Sequence, residues 1–318
     1  MRKSYTFRPV WISLTLLVIA SVLFLTINAN GQWNFILPLR AGKLASLILV
    51  AYAIGVSTLL FQTITNNPIL TPSILGFDSL YVFLQTLMVA LIGGLGYTQL
   101  SPSLKFVIAL IAMVAGSLLL FQMLLRQGGG DLTRMILIGV IFGIFFRSLT
   151  GLMQRLIDPE EFAIVQANSF ATFNTVNHDL LKISAVIIGL STIAIWRQRF
   201  KLDVYLLGRD QAINLGIRYP TNTLWILTWI ALLVATSTAL VGPVSFFGLL
   251  VCALANHFAR TVHHSLRIPL VSTIAALVLV AGQLVFEHLL NMQAVLSVVV
   301  EFAGGLVFLY LVLRKKAS

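Results

Sequence analysis

Apolar residues fall along this chain in long unbroken blocks. They do not show the alternating or 3.6-residue spacing that marks a half-buried strand or a surface helix. No charged residue stands between Pro9 and Leu39, and segment 10–27 is long enough to cross a bilayer, for which about 20 apolar residues suffice. Blocks at 44–62, 75–95, 104–125, 135–153, 181–196, 224–241, 269–289 and 295–313 read as further spanning helices. A shorter block at 246–259 cannot span upright, and Gly242-Pro243 breaks the helix before it. Arg2, Lys3 and Arg8 resemble the basic start of a signal peptide. The block after them is longer than a usual signal core and ends in Asn28-Ala29-Asn30, a poor cleavage site, so it reads as a retained first helix.

The connections set the orientation. With the N-terminus in the cytoplasm, fifteen Lys and Arg residues fall inside and five outside, namely Arg40, Lys43, Lys105, Arg155 and Lys182, with Arg147 left within a span. Cytoplasmic loops collect such residues. Only an even number of spans keeps Arg314-Lys315-Lys316 inside, so the count supports about ten spans with both termini cytoplasmic. An outer connection, 154–179, carries Asp158, Glu160, Glu161 and Asp179 and has room for a short surface helix. An inner one, 197–219, reads as a short helix after Gly208, with Gly216 where a C-cap belongs. No connection is long enough for a soluble domain, so 1–318 reads as a single polytopic transmembrane domain.

Composition sharpens this reading. The chain is 58% hydrophobic and 10% charged, against roughly 45–50% and 25% in soluble domains, and its mean hydropathy is +0.97. A water-soluble enzyme is excluded. The net charge of +11 would suggest nucleic acid in a soluble chain; here it is a record of topology, and no nucleic-acid partner is expected. A single cysteine, Cys252, rules out a disulfide framework or a Cys-rich metal site. There is no Walker A sequence and hence no ATP site in this chain. The histidines lack metal-ligand spacing, and His263-His264 reads as part of a solvated basic loop. No catalytic set appears, so the chain is not expected to be an enzyme, and no metal or cofactor is expected on it. Of the acids in or near spans, Asp78, Glu287 and Glu301, the second reads as interfacial beside His288. Arg147, about 13 residues or roughly 20 Å along a helix from Arg134, either lines a route for an anionic substrate, pairs with Glu301 or Asp78, or snorkels outward.

Two interruptions are more informative. Asn66-Asn67-Pro68-Ile69-Leu70-Thr71-Pro72-Ser73 and Gly242-Pro243, the latter followed by Phe246-Phe247-Gly248-Leu249-Leu250, lie about half a chain apart. Irregular backbone at membrane depth survives only where protein or water satisfies it, and paired interruptions mark transport paths. They suggest two five-helix halves, inverted because each holds an odd number of spans. Gly139-x-x-x-Gly143 permits close packing of its helix.

The chain resembles the permease family of ABC importers for iron–siderophore complexes, haem and cobalamin, from about residue 37 to 314. The family's basic approach to helix two is matched by Arg40-Ala41-Gly42-Lys43. Its Gly, Gln and Asn-Pro-rich run are matched by Gly55, Gln62 and Asn67-Pro68-Ile69-Leu70-Thr71-Pro72-Ser73-Ile74-Leu75-Gly76. Its cytoplasmic helix is matched by Leu207-Gly208-Arg209-Asp210-Gln211-Ala212-Ile213-Asn214-Leu215-Gly216, and its Gly-Pro-x-x-Phe-x-Gly-Leu by Gly242–Leu249. Cys252-Ala253 stands where many members have Pro-His, Lys43 replaces a common Arg, and no Arg precedes helix ten, which points away from cobalamin and toward the ferric-siderophore branch.

The resemblance implies a permease of the bacterial inner membrane, surrounded by lipid, that moves a ferric siderophore by alternating access. Haem or cobalamin is the alternative cargo, and an ion-coupled secondary transporter, which would want more intramembrane carboxylates, the alternative class. It implies a cytoplasmic ATPase dimer that holds ATP and magnesium, a second permease (a related one favoured over an identical copy) and a periplasmic or lipoprotein siderophore-binding protein. Arg40 and Lys43 would dock that binding protein. Leu207, Gly208, Arg209, Asp210, Ala212, Leu215 and Gly216 would form the coupling helix, about 207–217. Asn67, Pro68 and Ile69, near the loop from Gly128 to Arg134, would form the cytoplasmic gate, with Gly242, Pro243 and Arg147 along the path.

Overall fold

A computed structural model describes residues 7–27, 33–127, 132–174, 177–259, 261–289 and 296–315. Among the described residues the secondary structure is all helical. The helices are α1 (Arg8–Thr26), α2 (Trp33–Thr65), α3 (Phe77–Gln99), α4 (Pro102–Gln127), α5 (Leu132–Gln154), α6 (Pro159–Asn168), α7 (His178–Arg197), α8 (Arg199–Tyr205), α9 (Arg209–Asn214), α10 (Tyr219–Val241), α11 (Phe247–Phe258), α12 (His264–Leu289) and α13 (Leu296–Lys315). A 3-10 turn, Pro72–Leu75, precedes α3. Among the described residues, eight helices are long and apolar enough to cross a membrane, and α11 and segment Ser297–Val307 of α13 are shorter apolar helices. Eight and two make the ten segments that the sequence blocks indicate. The short surface helix expected in the outer connection is α6, started by Pro159. The loop at 128–131 and the charges at positions 2, 3, 260 and 316 lie outside the described residues.

The halves interlock. Helices α2 and α10 pack on each other at the centre, and each then packs on the fourth span of the opposite half, α2 on α12 and α10 on α4. These two are the most buried long helices, with 67% and 61% of their spanning windows inside the protein, against 17% for α1 and α5. Hydropathy does not distinguish them, because lipid is as apolar as leucine. Small polar residues do, since they let helices approach and bond: Ser46, Ser57, Thr58 and Thr63 are buried on α2, and Thr223, Thr236, Ser237 and Thr238 on α10.

Each interruption packs on a glycine of its own half. The end of the 3-10 turn sits on Gly139 and Gly143 of α5, and Phe246 sits on Gly304 of α13. Gly76 turns the first corner with φ +88°, Gly242 the second with φ +104°, values that favour glycine. The Gly139-x-x-x-Gly143 pair thus accommodates a broken segment rather than a neighbouring helix.

Candidate transport path and coupling surface

Helix α2 runs inward and α10 outward, so the first break enters from the cytoplasmic end and the second from the outer end. They touch. The Ser245 hydroxyl donates to Asp78 Oδ2 at 2.7 Å, its backbone N–H lies 3.3 Å from Glu301 Oε1, and the Ser73 hydroxyl lies 3.4 Å from the Ser245 carbonyl. Two half-buried carboxylates, one from each half, therefore converge on a single serine. Ser57, Thr58 and Thr238 line a small polar void beside it. Arg147 lies on the exposed face of α5. Among the described residues no ion pair within 4.0 Å joins it to Asp78 or Glu301. Gly242 and Pro243 are buried at the outer end of α10, where Gly242 lies against Phe170 and Ala171 and the Val241 carbonyl accepts from Thr172 N–H at 2.8 Å.

At the inner end of α2 the chain turns on Asn66, a non-glycine residue at φ 48°. Asn67 Oδ1 accepts from Ile69 N–H at 3.1 Å, and Gln62 Nε2 donates to the Pro68 carbonyl at 2.7 Å. These contacts hold Asn67, Pro68 and Ile69 in a compact turn with Pro68 exposed.

Helix α8 meets this turn through the Tyr205 carbonyl, and α9 follows α8 and packs on it and on α10. Gly208 at φ +95° precedes α9 and Gly216 at φ +87° follows it. Gly216 N–H donates to the Ile213 carbonyl at 2.9 Å and Ile217 N–H to Ala212 at 3.0 Å, the paired bonds of a Schellman ending. Ala212 is fully buried and anchors the helix, while Leu207, Ile213 and Leu215 are 55%, 45% and 62% exposed beside exposed Asp210. Apolar side chains held outward on a short capped helix in a cytoplasmic loop form a contact surface. The Arg209 guanidinium lies 5.8 Å from the centre of the Tyr219 ring.

The basic pair at the outer end is arranged differently from the loop that the sequence suggested. Pro38, Arg40 and Lys43 are all within α2, whose 33 residues span roughly 50 Å and overshoot a bilayer core of about 30 Å. Arg40 Nη1 donates to the carbonyls of Phe24 and Ile27, closing the end of α1. Lys43 pairs with Glu287 of α12, both side chains little exposed at 13% and 11%, and Gln283 Nε2 donates to the same carboxylate at 2.8 Å. Glu287 is therefore an ion-pair partner and not a simple interfacial acid.

A second correction concerns His263-His264. The pair is not a solvated basic loop: His264 is fully buried. Asp203 of α8 accepts from both its backbone N–H and its ring Nδ1, each at 2.7 Å, and lies 3.1 Å from His263 Nδ1. Burial pushes the Asp203 carboxyl up, but the hydrogen bonds from His264 and His263 outweigh it and hold it down at about 2. The one sequence signal was an acid, Asp203, which with Asp210 is one of only two among five basic residues of the inner connection. Among the described residues no group of three His, Cys, Asp or Glu side chains is placed to hold a metal.

Residues 7–314 match the profile of the FecCD transport family. The chain belongs to the FecCD transport family. FecCD relatives include the petrobactin import system permease protein YclO of Bacillus subtilis, 44% identical over 288 residues that cover 91% of each chain. The petrobactin import system permease protein FatC of Bacillus anthracis is 35% identical over 87% of this chain and 78% of its own. The ferric enterobactin transport system permease protein FepD of Escherichia coli is 29% identical over 95% and 94%. A solved chain described as of the metal-chelate ABC transporter type, in an inward-facing conformation, superposes with a TM-score of 0.84 over 97% of this chain and all of its own, at 22% identity. That likeness establishes the fold. The protein is a multi-pass permease of the inner membrane, of the kind that forms the transmembrane subunits of ABC importers.

Proposed function

We propose that this FecCD permease carries a ferric siderophore of the petrobactin class into the cytoplasm, driven by ATP hydrolysed in a separate ATPase dimer. The observation that carries the substrate reading is that YclO and FatC, two relatives matched over most of the chain, are both petrobactin import permeases. In this reading α9 seats in the ATPase, with Leu207, Ile213 and Leu215 as its apolar contacts and Asp210 beside them. The exposed faces of α5 and α13, which carry Leu137, Ile141, Phe145, Phe302 and Leu306, meet a second, related permease. Arg147 then faces a path between the two subunits, where its charge attracts an anionic chelate. Asn67, Pro68 and Ile69 close that path at the cytoplasmic end, and Gly242-Pro243 turns the chain at the outer end. A siderophore-binding protein docks on the outer face; Arg40 is the more available basic residue there, since Lys43 is held by Glu287.

Uptake of iron-55 petrobactin by a deletion strain, complemented with this gene, tests the proposal. Uptake should vanish on deletion and return on complementation, while iron-55 enterobactin and haem uptake stay at the parental level. Unchanged petrobactin uptake in the deletion strain refutes the substrate assignment.

A further inference from the structure

Helix α8 directly precedes α9, which packs on both α8 and α10. Three residues, Leu206, Leu207 and Gly208, separate the two helices. The seven residues of α8 are tied to three spans. Its Asp203 holds the first residue of α12 through two hydrogen bonds to His264. The buried His264 ring then reaches α2 with its other nitrogen, Nε2 lying 2.8 Å from the Thr63 hydroxyl, which in turn contacts the Leu59 carbonyl at 2.8 Å. One turn further along α2, Asn66 Nδ2 donates to the Tyr205 carbonyl at 3.2 Å. The Tyr205 hydroxyl lies 3.1 Å from the Thr223 hydroxyl of α10, and its ring lies 5.0 Å from that of Tyr219. The two hydrogen-bonded routes from α8 toward α2, through His264 to Thr63 and from Tyr205 to Asn66, land on the last turn of α2 and the residue after it, immediately before Asn67-Pro68.

A displacement of α9 reaches the inner end of α2 only through a connection stiffer than its surroundings. Gly208 gives the backbone next to α9 freedom, whereas Asp203 makes charge-assisted hydrogen bonds, roughly twice as strong as neutral ones, to a ring packed in the protein. We infer that Asp203, His264 and Thr63 form the joint that passes movement of α9 to the α2 turn and to the start of α12. They are positioning residues; none is required to touch the transported chelate. The inference rests on the reading of α9 as the ATPase-seating helix.

The test uses the full importer, permeases with ATPase, in proteoliposomes supplied with loaded binding protein, and measures ATP hydrolysis and iron-55 uptake together. Asp203→Asn, His264→Asn and Thr63→Val cut the chain at successive links. Asparagine at 264 still donates toward Asp203 but cannot reach Thr63. The ATPase should remain bound and hydrolysis should stay within about twofold, while uptake per ATP falls about tenfold for the first two and about threefold for Thr63→Val, within the span by which mutations along a coupling network change it. Thr63→Ser, which keeps the hydroxyl, should restore it. Leu215→Asp serves as the separate check on α9. If that variant keeps its ATPase, the α9 reading fails. If it loses its ATPase while the three joint variants retain wild-type uptake per ATP, or lose uptake and hydrolysis in equal proportion, the joint is refuted. Should His264→Asn fail to fold, Thr63→Val against Thr63→Ser decides alone.

Discussion

Replacing Gly76 with alanine should destabilise the permease by about 2–5 kcal/mol, and the geometry divides that cost into two parts. At φ +88° an L-residue costs about 1–2 kcal/mol. The added Cβ lies 2.7 Å from Gly143 Cα and 2.9 Å from Gly143 N. Both are backbone atoms of α5, so the turn and the helix must separate by roughly 0.7 Å to reach ordinary contact, an overpacking of about 1–3 kcal/mol. Gly143→Ala faces the same seam from the other side. Its Cβ meets Gly76 Cα at 3.1 Å in a right-handed helix, and the alanine recovers about 1 kcal/mol of helix propensity, so its net cost should stay under about 1 kcal/mol. Gly151→Ala meets nothing within 4 Å and should be neutral or stabilising by up to about 1 kcal/mol. Denaturant unfolding of the purified permease in lipid nanodiscs measures all three. The order wild type, Gly143→Ala, Gly76→Ala is required. A Gly76→Ala protein within about 0.5 kcal/mol of Gly143→Ala would show that the broken segment does not sit in the α5 groove as described.

Lys43→Met should cost about 3 kcal/mol by stranding Glu287, and the double substitution with Glu287→Met should cost less than Lys43→Met alone, as measured by unfolding of the same preparations. Leu215→Asp, at a 62% exposed position, should change the stability of the isolated permease by less than about 0.5 kcal/mol yet abolish co-purification of the ATPase. Arg147→Gln should lower uptake of an anionic chelate about tenfold with unfolding unchanged; uptake at the wild-type rate would remove Arg147 from the path. The Asp203 carboxyl titrates at about 2 in the folded protein against an ordinary value of 3.8. Its contribution to stability should therefore be complete above about pH 4 and be lost on acidification toward pH 2. The gap in unfolding midpoint between wild type and Asp203→Asn should narrow over that window.

The sequence was most legible where one short-range rule decided the structure. Lipid selects long apolar blocks, so the spans at 104–125 and 135–153 reappear as α4 and α5 with ends moved by a few residues. Gly208 and Gly216 announced both ends of α9, because only a residue without Cβ closes a helix cheaply at positive φ. The start of helix two was misplaced: the apolar block begins after Lys43, yet α2 continues outward through Lys43, Arg40 and Pro38 to Trp33, where a loop was expected. Lys43–Glu287 and Asp203–His264 were invisible for another reason. Their partners are 244 and 61 residues apart, and pairings at such separation are set by tertiary packing. The junction at Ser245 was half legible: both breaks were located, and Asp78 and Glu301 were noted, but only the fold shows that they converge.

The exchange of partners between the halves bears on how the protein is made. Helix α2 is complete nearly two hundred residues before α12 begins, which at about 5–20 residues per second leaves it waiting roughly 10–40 s in the bilayer. Until the helices of the second half emerge, Ser46, Thr58 and Gln62, later buried, have only lipid or the first half's own helices for company. The newborn first half is thus an obligate intermediate that insertion chaperones and membrane proteases will meet in every round of synthesis. The same exchange means that two fragments divided in the outer connection between α6 and α7 carry most of each other's core, so the intact permease is, in assembly terms, a covalently tethered dimer of its own halves.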